Sequence, residues 1–191
     1  AAKIMRWVDP SIKLVACGSS YEMLPTYLDW DRVMLEELYE YVDYLSTHNY
    51  TMNSGQGTTN FLASYQQLDR HIKNTASVLD FIKAKNHHEK DIKICLDEWN
   101  VWNFQDIKID SLDDLQGLTT FEMTSAEKWE IAPAILQEKY SLLDAIVVGG
   151  LGISLLNNVD TVEIACLAQL INVIAPITTV ENGGVFKQTT Y

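Results

Sequence analysis

The residues best suited to chemistry lie in Asp97-Glu98-Trp99-Asn100-Val101-Trp102, directly after the apolar run Ile92-Lys93-Ile94-Cys95-Leu96. A carboxylate that follows a buried strand and sits between two tryptophans is partly desolvated and still reachable. Pairs of carboxylates hydrolyse glycosides, and aromatic faces pack against sugar rings. Glu98 is therefore the leading candidate, although position alone also fits a solvated glutamate or a structural ion pair. Two more polar clusters follow apolar runs: Ser46-Thr47-His48-Asn49-Tyr50 and Ala168-Gln169-Leu170-Ile171-Asn172. His48 and Tyr50 alternate along an extended segment, so both face one side. From there Tyr50 can hydrogen-bond Glu98 and hold it ionised. His48 by itself fits a satisfied structural histidine equally well. Gln169 suits a sugar hydroxyl, Glu98 or a loop-capping role. His87-His88-Glu89 invites a metal reading, but no third ligand stands at a convincing spacing, and the triplet reads as a solvated helix end.

These residues need elements to hold them. Leu14 to Cys17 reads as a short strand ending at Gly18. Residues 31–42 have helical spacing, with Val33, Leu35, Leu38 and Tyr41 turned inward. Residues 43–47 read as the next strand. A long helix follows to about residue 85, N-capped by Thr58 or Thr59, with the stripe Phe61, Tyr65, Leu68, Ile72, Leu79 and Ile82. Residues 92–96 form a third strand. Residues 103–128 are acidic and irregular, and read as a loop over one face. A helix from about Ile131, with Pro133 in its first turn, runs to about Leu156, and residues 162–167 form a fourth strand. This β-α-β-α-β-α-β order predicts an α/β fold with a parallel sheet and helical crossovers. Chemistry then belongs at the C-terminal strand ends. Four strands make half of a (β/α)8 barrel or a small doubly wound sheet. Gly55-Gln56-Gly57 lacks the third glycine of a dinucleotide loop, and no phosphate loop is present.

The chain has 191 residues, 47% of them hydrophobic, which suits one domain or part of one. A complete (β/α)8 barrel needs about 250 residues. The net charge of -12, with no cluster of Lys and Arg, argues against nucleic acid and anionic membranes as partners. It suits a neutral substrate. The apolar stretch from Ala145 to Leu156 is shorter than the about 20 residues that span a bilayer, and it carries Gly149, Gly150 and Gly152. Cys17, Cys95 and Cys166 are widely spaced in apolar runs, so they read as buried free thiols in a reducing compartment. No signal peptide is visible at Ala1-Ala2-Lys3.

Asp97-Glu98-Trp99-Asn100-Val101-Trp102 resembles the nucleophile motif of family 51 glycoside hydrolases, the α-L-arabinofuranosidases. Three more segments resemble the same family in the same order: residues 8–20 (Val8-Asp9-Pro10-Ser11 onward), 43–50 and 164–176. Only the stretch 103–128 falls outside the resemblance. It implies that residues 1–191 are part of a (β/α)8 TIM barrel, about strands 5 to 8, with the N-terminal half barrel and a C-terminal β-sandwich outside the chain. By the same resemblance Glu98 is the nucleophile on the seventh strand. Tyr50 bonds it, with His48 nearby on the sixth. Trp102 lines the sugar subsite, and Gln169 contacts substrate from the eighth. The implied reaction removes terminal α-L-arabinofuranosyl residues from arabinose-containing oligo- and polysaccharides by retaining double displacement, with no cofactor and no metal. The implied setting is a cytoplasmic homo-oligomer of the full-length protein. Family members carry their acid/base in an Asn-Glu pair at the end of the fourth strand. No Asn-Glu dipeptide occurs here, so the isolated chain is expected to be inactive. Another retaining glycosidase (a β-xylosidase or endoglucanase) and a non-catalytic barrel remnant are the alternatives.

Overall fold

In the computed structural model, residues 1–53, 57–103 and 138–191 are described. The elements are α1 (Ala2–Val8), β1 (Val15–Ala16), α2 (Asp29–Leu38, continued by a 3-10 turn at Tyr39–Tyr41) and β2 (Tyr44–Thr51). They continue with α3 (Thr58–Leu62), α4 (Tyr65–Asn86), β3 (Lys93–Val101), α5 (Leu142–Asn157), β4 (Val162–Leu167), β5 (Ile177–Val180) and β6 (Gly184–Lys187). Strands β1 to β4 form one parallel sheet in sequence order. The alternation of strand and helix therefore produces the expected parallel α/β arrangement. β5 and β6 form a separate antiparallel pair.

One face of the sheet packs on the helices. Leu45 of β2 and Ile94, Leu96 and Val101 of β3 share a core with Leu35, Leu68, Ile72, Leu79, Ile82, Val147 and Leu151. Leu68, Ile72, Leu79 and Ile82 recur with helical spacing, so α4 presents one continuous apolar stripe. Each such side chain, fully buried, contributes about 1.5–3 kcal/mol. Ser141 starts α5 through a capping box: its amide donates to Asp144 Oδ2 at 2.6 Å, and the Asp144 amide donates back to Ser141 Oγ.

Several boundaries differ from the sequence reading. The first crossover helix begins at Asp29, and its buried positions are Asp31, Leu35 and Tyr39. Val33 is 46% exposed instead. A carboxylate can take the inward position because Asp31 Oδ1 accepts the Ser19 amide at 2.6 Å. The helix expected from Thr58 is two helices, broken at Ala63 and Ser64, where Ser64 Oγ donates to the Phe61 carbonyl. Neither Thr58 nor Thr59 caps it. The N-cap position is Gly57, whose φ of 91° suits glycine. α5 begins at Leu142. Pro133 and nearly all of the expected 103–128 loop lie outside the described residues. Strand β2 runs on to Thr51 and β3 to Val101, because their pairing continues through Thr51 and Val101. The Ser46–Tyr50 cluster and residues 97–101 thus lie within strands, whereas Ala168–Asn172 follows β4. Cys95 is buried as expected, but Cys17 and Cys166 are exposed, one just past the end of edge strand β1 and the other on edge strand β4. Helix α1 and the β5–β6 hairpin were not anticipated. The hairpin turns at Asn182 and Gly183, both with positive φ.

Candidate functional site

Strand β2 sorts its side chains by parity. Leu45 enters the core, and Thr47 Oγ1 meets His71 of α4, so odd positions face the helices. His48 and Tyr50 therefore face the opposite side. Strand β3 begins with the other parity: Ile94 and Leu96 are in the core. Strict alternation would send Glu98 after them, among the helices. Beyond Glu98, Val101 is instead in the core and Trp99 packs against that core. The pairing explains the switch. Thr47 opposes Leu96, His48 opposes Glu98, and Asp97 is left as the extra residue of a β-bulge. The bulge turns Glu98 onto the face that carries His48 and Tyr50.

There Tyr50 Oη donates to Glu98 Oε2 at 3.0 Å. His48 Nδ1 lies 3.6 Å from the same oxygen, and its Nε2 lies 3.3 Å from Asp97 Oδ1. Burial, reinforced by the bond to Glu98, pushes the Tyr50 phenol well above its usual pKa, so it remains a proton donor. The Tyr50 ring meets the Trp102 indole edge to face, with centroids 5.4 Å apart. The Glu98 side chain keeps 47% of its surface exposed, so a ligand can reach it.

Asn100, only 1% exposed, ties the next loop to this strand. Its Nδ2 donates to the Ala168 carbonyl at 2.8 Å and to the Ile174 carbonyl at 2.6 Å. Its Oδ1 accepts the Val101 amide. Gln169 lies inside the loop so clipped, is exposed, and follows a cis peptide bond. No side-chain hydrogen bond joins it to Glu98 among the described residues. The structure thus gathers Glu98, Tyr50, His48 and Trp102, and Gln169 follows Ala168, which pairs with Trp99 and Asn100 of the strand that carries Glu98. His88, of the triplet considered for metal, stacks on Tyr39 at 4.4 Å and contacts Glu40.

Three participants were not singled out in the sequence: Asp97, Asn100 and a buried chain behind β2. In that chain Thr47 Oγ1 donates to the Ser19 carbonyl at 2.7 Å, so it must accept from His71 Nε2 at 2.5 Å. His71 Nδ1 then accepts from Tyr27 Oη at 2.7 Å. Burial holds the His71 ring below its usual pKa, hence neutral. The change of parity from Ile94 and Leu96 to Trp99 and Val101 was a readable sign of the bulge.

The grouping of one reachable carboxylate, a phenol donor and an indole face suits nucleophilic attack on a sugar. Comparison with known proteins agrees in kind. Residues 97–191 match the family model described as the α-L-arabinofuranosidase C-terminal domain. The chain is 45% identical over 190 residues to the intracellular exo-α-(1→5)-L-arabinofuranosidase 1 of Bacillus subtilis, covering 98% of this chain and 35% of that protein. It is 38% identical over 192 residues to an exo-α-(1→6)-L-arabinofuranosidase of Bifidobacterium longum, again covering 98% of this chain and 35% of that protein. A solved family 51 α-L-arabinofuranosidase from Bifidobacterium longum superimposes with a TM-score of 0.82 at 34% identity, covering 99% of this chain and 37% of that one. The α-L-arabinofuranosidase of Thermotoga maritima, in an arabinose complex, gives a TM-score of 0.72 at 25% identity, covering 100% and 32%. The chain spans about a third of the length of the curated relatives it matches. Sequence, family model and fold agree on one conclusion: the chain belongs to the family 51 glycoside hydrolases, the α-L-arabinofuranosidases.

Proposed function

We propose that this chain is the nucleophile-bearing segment of a longer retaining α-L-arabinofuranosidase, and that its four-stranded sheet is strands 5 to 8 of a (β/α)8 barrel. The observation that carries this reading is the Tyr50–Glu98 hydrogen bond at 3.0 Å on a reachable carboxylate. Tyr50 occupies Oε2, which leaves Oε1 as the attacking atom. Glu98 displaces the leaving group at the anomeric carbon and forms a covalent arabinofuranosyl-enzyme. A second carboxyl group from another part of the parent chain protonates the leaving oxygen, then activates the water that releases the sugar. Retaining enzymes hold these two groups about 5–5.5 Å apart. Trp102 packs against the furanose, and His48 lies beside the nucleophile. Gln169 contacts the substrate from the loop that Asn100 clips. The substrate is a neutral arabinose-containing oligosaccharide, which suits the chain's net charge of -12. Relatives named for α-(1→5) and for α-(1→6) action both match along 98% of this chain. Following the relatives named intracellular, the parent protein works inside the cell; the homo-oligomer rests on the family resemblance alone.

A slow-releasing 2-fluoro arabinofuranosyl substrate tests the proposal on the full-length parent. Peptide mapping is expected to find the sugar on Glu98, and Glu98→Gln to abolish both labelling and turnover. A label on any other carboxylate would overturn the assignment.

A further inference from the structure

We infer that Asp97 is a positioning residue for His48, a role that rests on the proposed function of the Glu98 site. Asp97 is the extra residue of the bulge that turns Glu98 toward Tyr50. Its Oδ1 is enclosed, has no hydrogen-bond partner, and lies 3.3 Å from His48 Nε2. Glu98 Oε2, on the other side of the ring, already accepts from Tyr50 and stands 3.6 Å from His48 Nδ1, beyond hydrogen-bonding range. Two acceptors therefore flank one imidazole, and only Asp97 Oδ1 lacks a donor. A neutral His48 with its proton on Nε2 can donate a hydrogen bond to Asp97 Oδ1 across that 3.3 Å gap, which no other donor fills. A carboxylate bound to one ring nitrogen fixes both tautomer and ring orientation. Because Asp97 and Glu98 are adjacent in one bulge, the residue that aims the nucleophile also holds the imidazole beside it. Asp97 touches neither the sugar nor the reacting atoms; it acts through His48.

Two-bond 1H–15N spectra of the 15N-labelled full-length parent test this, with the His48 signals assigned and the ring neutral. The expected spectrum shows the proton on Nε2. Asp97→Asn, whose amide can donate to Nε2, is expected to shift the population toward Nδ1–H while the His71 signals stay in place. An Nδ1–H ring in the unaltered chain, or the same tautomer in both proteins, overturns the inference. The unaltered chain decides the matter even if the variant fails to fold. In the full-length parent, Asp97→Asn is expected to lower kcat by tenfold or more with little change in KM. Unchanged kcat overturns the role. Full activity in Glu98→Gln would instead defeat the reading of the site, while the tautomer experiment would still decide the Asp97–His48 contact.

Discussion

Glu98 has two unlike oxygens: Oε2 is held by Tyr50 Oη, and Oε1 is free of that bond. A hydrogen bond to a charged group contributes about 1.5–3 kcal/mol. Tyr50→Phe in the parent enzyme is therefore expected to lower kcat/KM by about ten- to a hundredfold, read on an aryl α-L-arabinofuranoside, without unfolding the protein. An unchanged rate would mean that the phenol does not tune the nucleophile. His71 poses a separate question, one of stability. Its folded pKa is depressed by burial, so the unfolded chain takes up the proton first, near the ordinary value of about 6.5. Between that value and the lower folded one the unfolded state binds more protons, and stability falls with falling pH. Above about 6.5 the term is fully present and flat. Denaturant titrations at several pH values are expected to show an acid slope that shrinks in His71→Gln. The same slope in both proteins would assign it to other groups.

The bulge and the Asn100 clip show how elements place such residues. Removing Asp97 restores strict alternation along β3, which would put Glu98 on the helix side or force Trp99 and Val101 out of the core. Deleting it is expected to destabilise the fold and remove covalent labelling together. The deletion variant keeping both would mean that the bulge does not aim Glu98. Asn100→Ala would leave the Ala168 and Ile174 carbonyls buried without the donor they now share. An orphaned buried polar group costs about 1–3 kcal/mol, so a loss of about 2–6 kcal/mol is expected for the pair in denaturant titration. Faster amide exchange in 168–174 should accompany it. A loss confined to well under 1 kcal/mol would mean that water replaces the clip.

Seen whole, the sheet has two edges, β1 and β4, and no strand pairs with their outer sides among the described residues. Open edges of parallel sheets invite pairing. Helix α1 adds exposed apolar surface at Trp7 (81%) and Val8 (85%). The isolated chain is expected to self-associate, and to become a stable particle when co-expressed with the preceding part of the parent. A monomer with one sharp thermal transition would contradict this. The isolated chain is also expected to release no arabinose from an aryl arabinofuranoside. Turnover that vanishes in Glu98→Gln would show that the acid/base lies within these residues.

Local pattern alone was enough for the strand-helix alternation, the apolar stripe of α4 and the pairing of His48 with Tyr50 on one side, because periods of two and 3.6 are properties of the chain itself. Glu98 was legible as a candidate too, from a carboxylate between tryptophans after an apolar run. Which side of the sheet Glu98 faces was signalled only by the parity change from Ile94 and Leu96 to Trp99 and Val101, and was decided by how β2 pairs with β3. The inward turn of Asp31 and His71 was hidden, because a polar side chain is buried only when a distant partner meets it: the Ser19 amide for one, Tyr27 and Thr47 for the other. Asn100 reads in the sequence as a loop residue of the motif. Only folding brings it against carbonyls 68 and 74 positions away, and that long-range contact makes it a clip.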